Sequence, residues 1–277
     1  MAIHREATLD GDTAHDDDDA VATSPRGAVR IVPSVPSSSS STAPDITNRR
    51  LSGHDDKDKA VARPRTDRDA ANSRFIQEQC RKLCLSVFFR ESSPVRSIGF
   101  TSALGGEGKT FVALTTASIL ANDSADPVTY IECNWEHPTI HDHFNLPPSP
   151  GLAEWLRQEA SEAEVRHQVA PNLTVIPAGN ARDGAVKLLR LLREKSTVGQ
   201  LSGTQDLVVV ELPPIVSCSY GPLAASIVES LIVVVRSGAT PEPIFAEACS
   251  QLKNLPVEGV LLNQVRSRIP AWLRRIL

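Results

Sequence analysis

Aromatic side chains are scarce, 4% of 277 residues, with two tyrosines, three tryptophans and a single methionine in the whole chain. No Phe, Trp or Tyr stands before Phe75. Residues 1–72 instead carry the acid run Asp16–Asp19, the serine run Ser37–Ser41 and Pro25, Pro33, Pro36, Pro44 and Pro64. Such a stretch buries too little apolar surface to offset the entropy of ordering it, so it reads as a disordered tail or linker. The five cysteines are odd in number and form no CxxC pair, which excludes a disulfide framework and fits reduced thiols. Cys80 and Cys84 are four apart on an expected helix and read as apolar packing, because no nearby His or Cys completes a ligand set. No apolar run reaches the roughly eighteen residues needed to span a bilayer, and Met1–Glu6 opens no signal peptide. A cytoplasmic protein is expected. The net charge of −4 excludes a general nucleic-acid binder, although Arg266–Arg275 is locally basic.

Residues 73–277 change to apolar blocks separated by Gly, Pro, Asn and Asp, enough for one well-buried domain. The spacing predicts a helix over 74–90. Strands follow at Ser97–Thr101, Val128–Glu132, Leu173–Pro177, Leu207–Leu212, Ser230–Arg236 and Val257–Asn263, with helices near 109–122, 151–168, 183–195, 221–227 and 241–253. Near-continuous apolar runs such as Leu207–Val210 and Leu231–Val235 mark strands covered on both faces. The expected fold is therefore a three-layer α/β sandwich with a mainly parallel sheet.

Ser97–Thr110 runs strand, glycine-rich turn, helix, which is the context that makes a phosphate loop of Gly105-Gly106-Glu107-Gly108-Lys109-Thr110. Glycines let backbone N–H groups converge on phosphate oxygens where a Cβ would clash, and the following helix adds its N-terminal partial charge. Lys109 is placed to reach the β- and γ-phosphates of ATP, and Thr110 to put its hydroxyl on Mg²⁺. Ala103 holds the place where the common pattern has its first glycine. Other groups carry less. His137, His141 and His143 lie near Glu136 and Asp142 and read as solvated rather than metal-binding. Trp272, with Leu273, Ile276 and Leu277, forms an apolar end that either docks on the domain or meets a partner or membrane surface.

From Glu78 onward the chain resembles the bacterial tyrosine kinases of capsule and exopolysaccharide synthesis, cousins of the ParA and MinD ATPases. Glu78-x-x-Arg81-x-Leu83 with Phe89 is similar to that family's first helix, and Thr101–Thr110 to its Walker A segment. Pro138, Gly151-Leu152, Asn172-Leu173, Ile176–Gly179, Pro213-Pro214 and Gly259–Asn263 fall where the family has counterparts. The resemblance implies a nucleotide site formed by Gly105, Gly106, Glu107, Gly108, Lys109, Thr110, Phe111 and Asn263, with Asn263 near the adenine. It implies catalytic roles at Lys109, Glu132, Asn134 and Glu211, and metal ligation by Thr110, Glu132 and Glu211.

The departures from the family fall on its acids. Its second strand ends I-D-x-D-x-R, where this chain has Ile131-Glu132-Cys133-Asn134-Trp135-Glu136, and its D-x-P-P is here Glu211-Leu212-Pro213-Pro214. A longer carboxylate is displaced in a metal site of near-ideal octahedral geometry, and Asn134 cannot take a proton as a carboxylate does. Phosphotransfer is therefore expected to be weak or lost. Of the two tyrosines, Tyr130 reads as core, and the family's C-terminal tyrosine cluster has no counterpart. Cys84-Leu85-Ser86 stands where the resemblance assigns homo-oligomeric ring assembly. The implied partner is a separate membrane-spanning chain-length regulator, met at the inner face of the cell membrane. Two alternatives are a ParA- or MinD-type ATPase that positions cargo, disfavoured by Leu104 in place of that group's signature lysine, and an interaction protein holding nucleotide as a structural ligand.

Overall fold

A computed structural model describes residues 28–30, 67–89, 95–182, 184–194 and 206–265. Five elements surround the glycine-rich loop: β2 (Ser97–Ser102), α2 (Lys109–Asp123), β3 (Val128–Glu132), β6 (Leu207–Glu211) and β7 (Ser230–Arg236). Around them lie β1 (Ala28–Arg30), α1 (Asp67–Phe88), α3 (Ile140–His143), α4 (Leu152–Leu156), α5 (Glu162–Val165), β4 (His167–Ala170), β5 (Leu173–Ile176) and α6 (Ala185–Glu194). The chain continues with α7 (Gly221–Ala225), α8 (Glu242–Leu252) and β8 (Val257–Asn263). One eight-stranded sheet runs β1-β8-β7-β2-β6-β3-β5-β4. Every neighbouring pair is parallel except β4 with β5.

Period-two alternation sorts the strand residues between two cores. Val208, Val210, Ile131, Leu231 and Val233 face the layer holding α4, α6, α7 and α8. Leu207, Val209, Tyr130, Ile232 and Val234 face α1 and α2. The sheet is thus covered on both sides, as its unbroken apolar runs require, and the three-layer α/β expectation holds. Cys80 and Cys84 pack in the second core, 0% and 3% exposed.

The expected helix over 151–168 is instead α4, α5 and the edge strand β4. Gln158 takes a positive φ of 62° after α4, which ends a helix built of L-residues. Ser161 restarts one through a capping box, with Glu164 accepting its backbone N–H at 2.7 Å. The short α3 had no periodic pattern to betray it. Within the 1–72 segment, Ala28–Arg30 pairs in parallel with Val260–Leu262, and α1 begins at Asp67. The acid and serine runs, the remaining residues 1–66, and the C-terminal segment with Trp272 lie outside the described residues.

Candidate functional site

The end of β2 feeds the phosphate loop directly into α2. Gly106 and Gly108 take φ of 78° and 89°, a region an L side chain enters only with strain. A Cβ on Gly108 would also come within 2.2 Å of Asn263 Nδ2, so both dihedral and space demand glycine there. Ala103 is wholly buried, and Val216 N–H donates to its carbonyl at 3.0 Å, which explains why a small residue serves in place of glycine. Glu107 braces the loop. Its carboxylate accepts from Leu104 N–H at 2.9 Å, from Arg236 N–H at 3.4 Å and from the Thr240 hydroxyl, while its carbonyl accepts from Asn263 Nδ2 at 2.9 Å. Phe111, on the first turn of α2, is half-exposed.

Glu132 and Glu211 occupy paired positions on β3 and β6 and share the face of Tyr130, toward α2. Glu211 is fully buried, and each of its oxygens is engaged. Lys109 Nζ donates to Oε1 at 2.9 Å and the Thr110 hydroxyl donates to the same oxygen at 2.5 Å. The Tyr130 hydroxyl donates to Oε2 at 2.6 Å. The two side chains best suited to phosphate and metal therefore converge on one carboxylate oxygen. Tyr130 read as core from sequence; its hydroxyl becomes part of the site only because β3 and β6 are neighbours. Burial and the adjacent Glu211 push its pKa well above the ordinary tyrosine value.

Glu132 is also buried and accepts three backbone N–H groups, from Thr139 at 2.6 Å, Ile140 at 3.2 Å and Ala178 at 3.1 Å. It latches the loop after β3 to the end of β5. Burial raises its pKa from 4.5 to about 7, with Glu211 adding to the rise and the backbone donors opposing it. Asn134 is 3% exposed. Its Nδ2 donates to His137 O at 3.2 Å, and its Oδ1 is buried without a hydrogen-bond partner. Asn263 ends β8 with Nδ2 on the phosphate loop and Oδ1 accepting Gln264 N–H. Lys109, Thr110, Glu211, Glu107 and Asn263 thus gather around one loop, while Glu132 is held by the β3 and β5 loops beside it. Among the described residues no cluster of three or more His, Cys, Asp or Glu side chains forms a metal site, and no helix is long and apolar enough to cross a membrane.

The loop glycines and Lys109 fit a nucleotide phosphate chain, and the Thr110 hydroxyl with the Glu211 carboxylate is a donor set that fits Mg²⁺.

No protein-family model matches the chain. It is 27% identical over 193 residues to the tyrosine-protein kinase ptk of Acinetobacter johnsonii, covering 68% of this chain and 26% of that protein. It is 26% identical over 190 residues to the tyrosine-protein kinase YwqD of Bacillus subtilis, covering 67% of this chain and 80% of that one. The succinoglycan biosynthesis transport protein ExoP of Rhizobium meliloti is 29% identical over 182 residues, 62% of this chain and 22% of its own length. The chain therefore spans about a quarter of two of these relatives and most of the third. Among solved structures, the kinase domain of the Escherichia coli tyrosine kinase ETK superposes with a TM-score of 0.65 at 22% identity, over 77% of this chain and 87% of that domain. The chain is a divergent homologue of the bacterial tyrosine-protein kinases and carries the P-loop fold of their kinase domain.

Proposed function

We propose that this chain binds ATP with Mg²⁺ through Gly105–Phe111 and Asn263, and acts in regulating exopolysaccharide polymerisation and export with its phosphotransfer weakened or lost. A relative named for succinoglycan transport and relatives named as tyrosine kinases support the cellular setting. The partner is a membrane-spanning chain-length regulator on a separate chain, met at the inner face of the cell membrane.

One observation carries the biochemical part: Lys109 and Thr110 both bond Glu211 Oε1. In this family's pattern an aspartate, one methylene shorter, holds that position. The longer side chain of Glu211 reaches the lysine and hydroxyl that a nucleotide and its metal need, and Tyr130 fixes the opposite oxygen. Nucleotide binding must therefore exchange the Lys109–Glu211 ion pair for phosphate contacts. When bound, Mg²⁺ supplies neutralisation of charge on the phosphate chain. Lys109 would orient the terminal phosphates, Thr110 and Glu211 would hold the metal, and the loop N–H groups would position the phosphate chain. Glu132 is held by three backbone donors, which would compete with any role in holding the metal. Asn134 carries no negative charge for accepting the proton of an attacking hydroxyl.

Titrating nucleotide with and without Mg²⁺, then measuring turnover on the same sample, tests this reading. Binding with slow turnover is expected. Changing Glu132→Asp, Asn134→Asp and Glu211→Asp together should raise ATP hydrolysis at least tenfold, about 1.4 kcal/mol of barrier, while altering affinity much less. Brisk tyrosine phosphorylation by the unaltered protein, or a folded triple variant with unchanged hydrolysis, would overturn it.

A further inference from the structure

A second concavity, a cleft of about 1130 Å³, opens beside the C-terminal ends of β3 and β5, and no residue of Gly105–Thr110 lines it. Its size passes the roughly 300–1,000 Å³ of ordinary small-molecule sites. One wall is the first turns of α6, where Lys187 and Arg190 stand one helical turn apart, both exposed. Neither pairs with a carboxylate among the described residues. Arg182, also at the rim, is bridged to Glu159 at 3.2 Å. Among the described residues that line the cleft, Glu136 is the one carboxylate, set against Arg182, Lys187 and Arg190. The N-terminus of α6, ten residues long, opens on the same space through Ala185 and adds its partial positive charge.

Tyr220 supplies an independent observation. It lines the cleft, is 4% exposed, and its hydroxyl has no well-formed hydrogen bond, although Glu136 and Cys218 lie near it. A buried hydroxyl left unmatched is costly unless a ligand or solvent completes it. Beside it, 6.5 Å between ring centres, Trp135 is fixed by donating its indole N–H to Ala178 O at 2.8 Å. Lys187, the Arg190 fork and the helix terminus suit phosphoryl oxygens, and Tyr220 can donate to one more. A phosphate alone would leave most of the volume empty, which leaves room for a sugar or nucleoside body against the Trp135 and Tyr220 wall.

We infer that this cleft binds a small organic phosphate or diphosphate ester, separately from the phosphate loop. The inference does not depend on the function proposed above. Its test is calorimetric titration of glucose 1-phosphate, uridine diphosphate glucose and inorganic pyrophosphate into the full chain, with and without excess ADP. At least one ester should bind more tightly than pyrophosphate and do so equally with ADP present; which ester wins separates the sugar phosphate from the nucleotide sugar. Lys187→Glu with Arg190→Glu, both at exposed positions, should weaken that binding at least tenfold and leave ADP affinity unchanged. Tyr220→Phe should weaken it severalfold and leave ADP affinity unchanged. Binding of pyrophosphate alone would overturn the ester assignment. Displacement by ADP would return the anion to the phosphate loop, and an absence of binding by all three, or binding indifferent to the charge reversals, would remove the site.

Discussion

Lys109 and Glu132 show how burial decides what a charged residue does. Lys109 is 8% exposed and its ammonium lies 2.9 Å from a carboxylate that is wholly buried. Removing one partner of such a pair leaves an uncompensated charge, at a cost of about 3–5 kcal/mol. Lys109→Ala should therefore lower stability by roughly that amount, softened by the Tyr130 and Thr110 donors that remain on Glu211, and should largely abolish nucleotide binding. Urea unfolding and nucleotide titration on the same variant check both; intact affinity in a folded Lys109→Ala protein would refute the assigned site. Glu132 makes a pH prediction. Its pKa rises from 4.5 to about 7 on folding, so between those values the native state holds a proton the unfolded chain has released. Its contribution is fully present below about pH 4.5 and is lost as pH rises through about 7, a change on the order of 3 kcal/mol. Glu132→Gln removes that titration. Unfolding free energies of the two proteins across this window should diverge, the wild type falling more steeply with rising pH, and parallel curves would contradict the raised pKa.

At the scale of elements, the phosphate loop is held by strands that do not belong to it. Glu107 joins it to the turn after β7, Asn263 joins it to the end of β8, and Thr101 donates from β2 to Pro213 O at 2.7 Å beyond β6. Gly108 sits where these restraints meet. Gly108→Ala should cost at least 1–2 kcal/mol, about the penalty of the left-handed conformation, plus displacement of Asn263. Adding Asn263→Ala should recover the steric part and leave the dihedral part. A double-mutant cycle by thermal unfolding measures this coupling, and strict additivity would mean that Asn263 does not limit the space at Gly108.

For the molecule as a whole, the prediction concerns the N-terminal segment. Of residues 1–66, the described part is β1, three residues on an edge beside β8. Deleting residues 1–66 keeps α1 entire. It should shift the thermal midpoint by no more than about 4 °C, roughly 1 kcal/mol in a domain of this size, and leave nucleotide affinity unchanged. A larger loss in a melting experiment would reveal packing contributed by that segment.

Fold class and phosphate loop were legible because their signals are local. Apolar runs such as Leu231–Val235 imply strands covered on both faces, and a strand, a glycine turn and Lys109-Thr110 on one short stretch of chain imply a phosphate site. Edge elements were not legible: β4 and the break after α4 depend on Gln158 at positive φ and on the Ser161 capping box, which a helical apolar pattern masks. The departures at Glu132, Asn134 and Glu211 were visible in the sequence, but their contacts were not. That Glu211 would take Lys109, Thr110 and Tyr130, and that Glu132 would instead bind the backbone of 139, 140 and 178, follows from the pairing of β3 with β6 and β5. Sequence alone thus determined the glycine-rich loop that leads into Lys109 and Thr110, a pattern that needs only neighbouring residues. The tertiary structure decided which carboxylate meets that chemistry, because strand order brings together groups some eighty to a hundred residues apart.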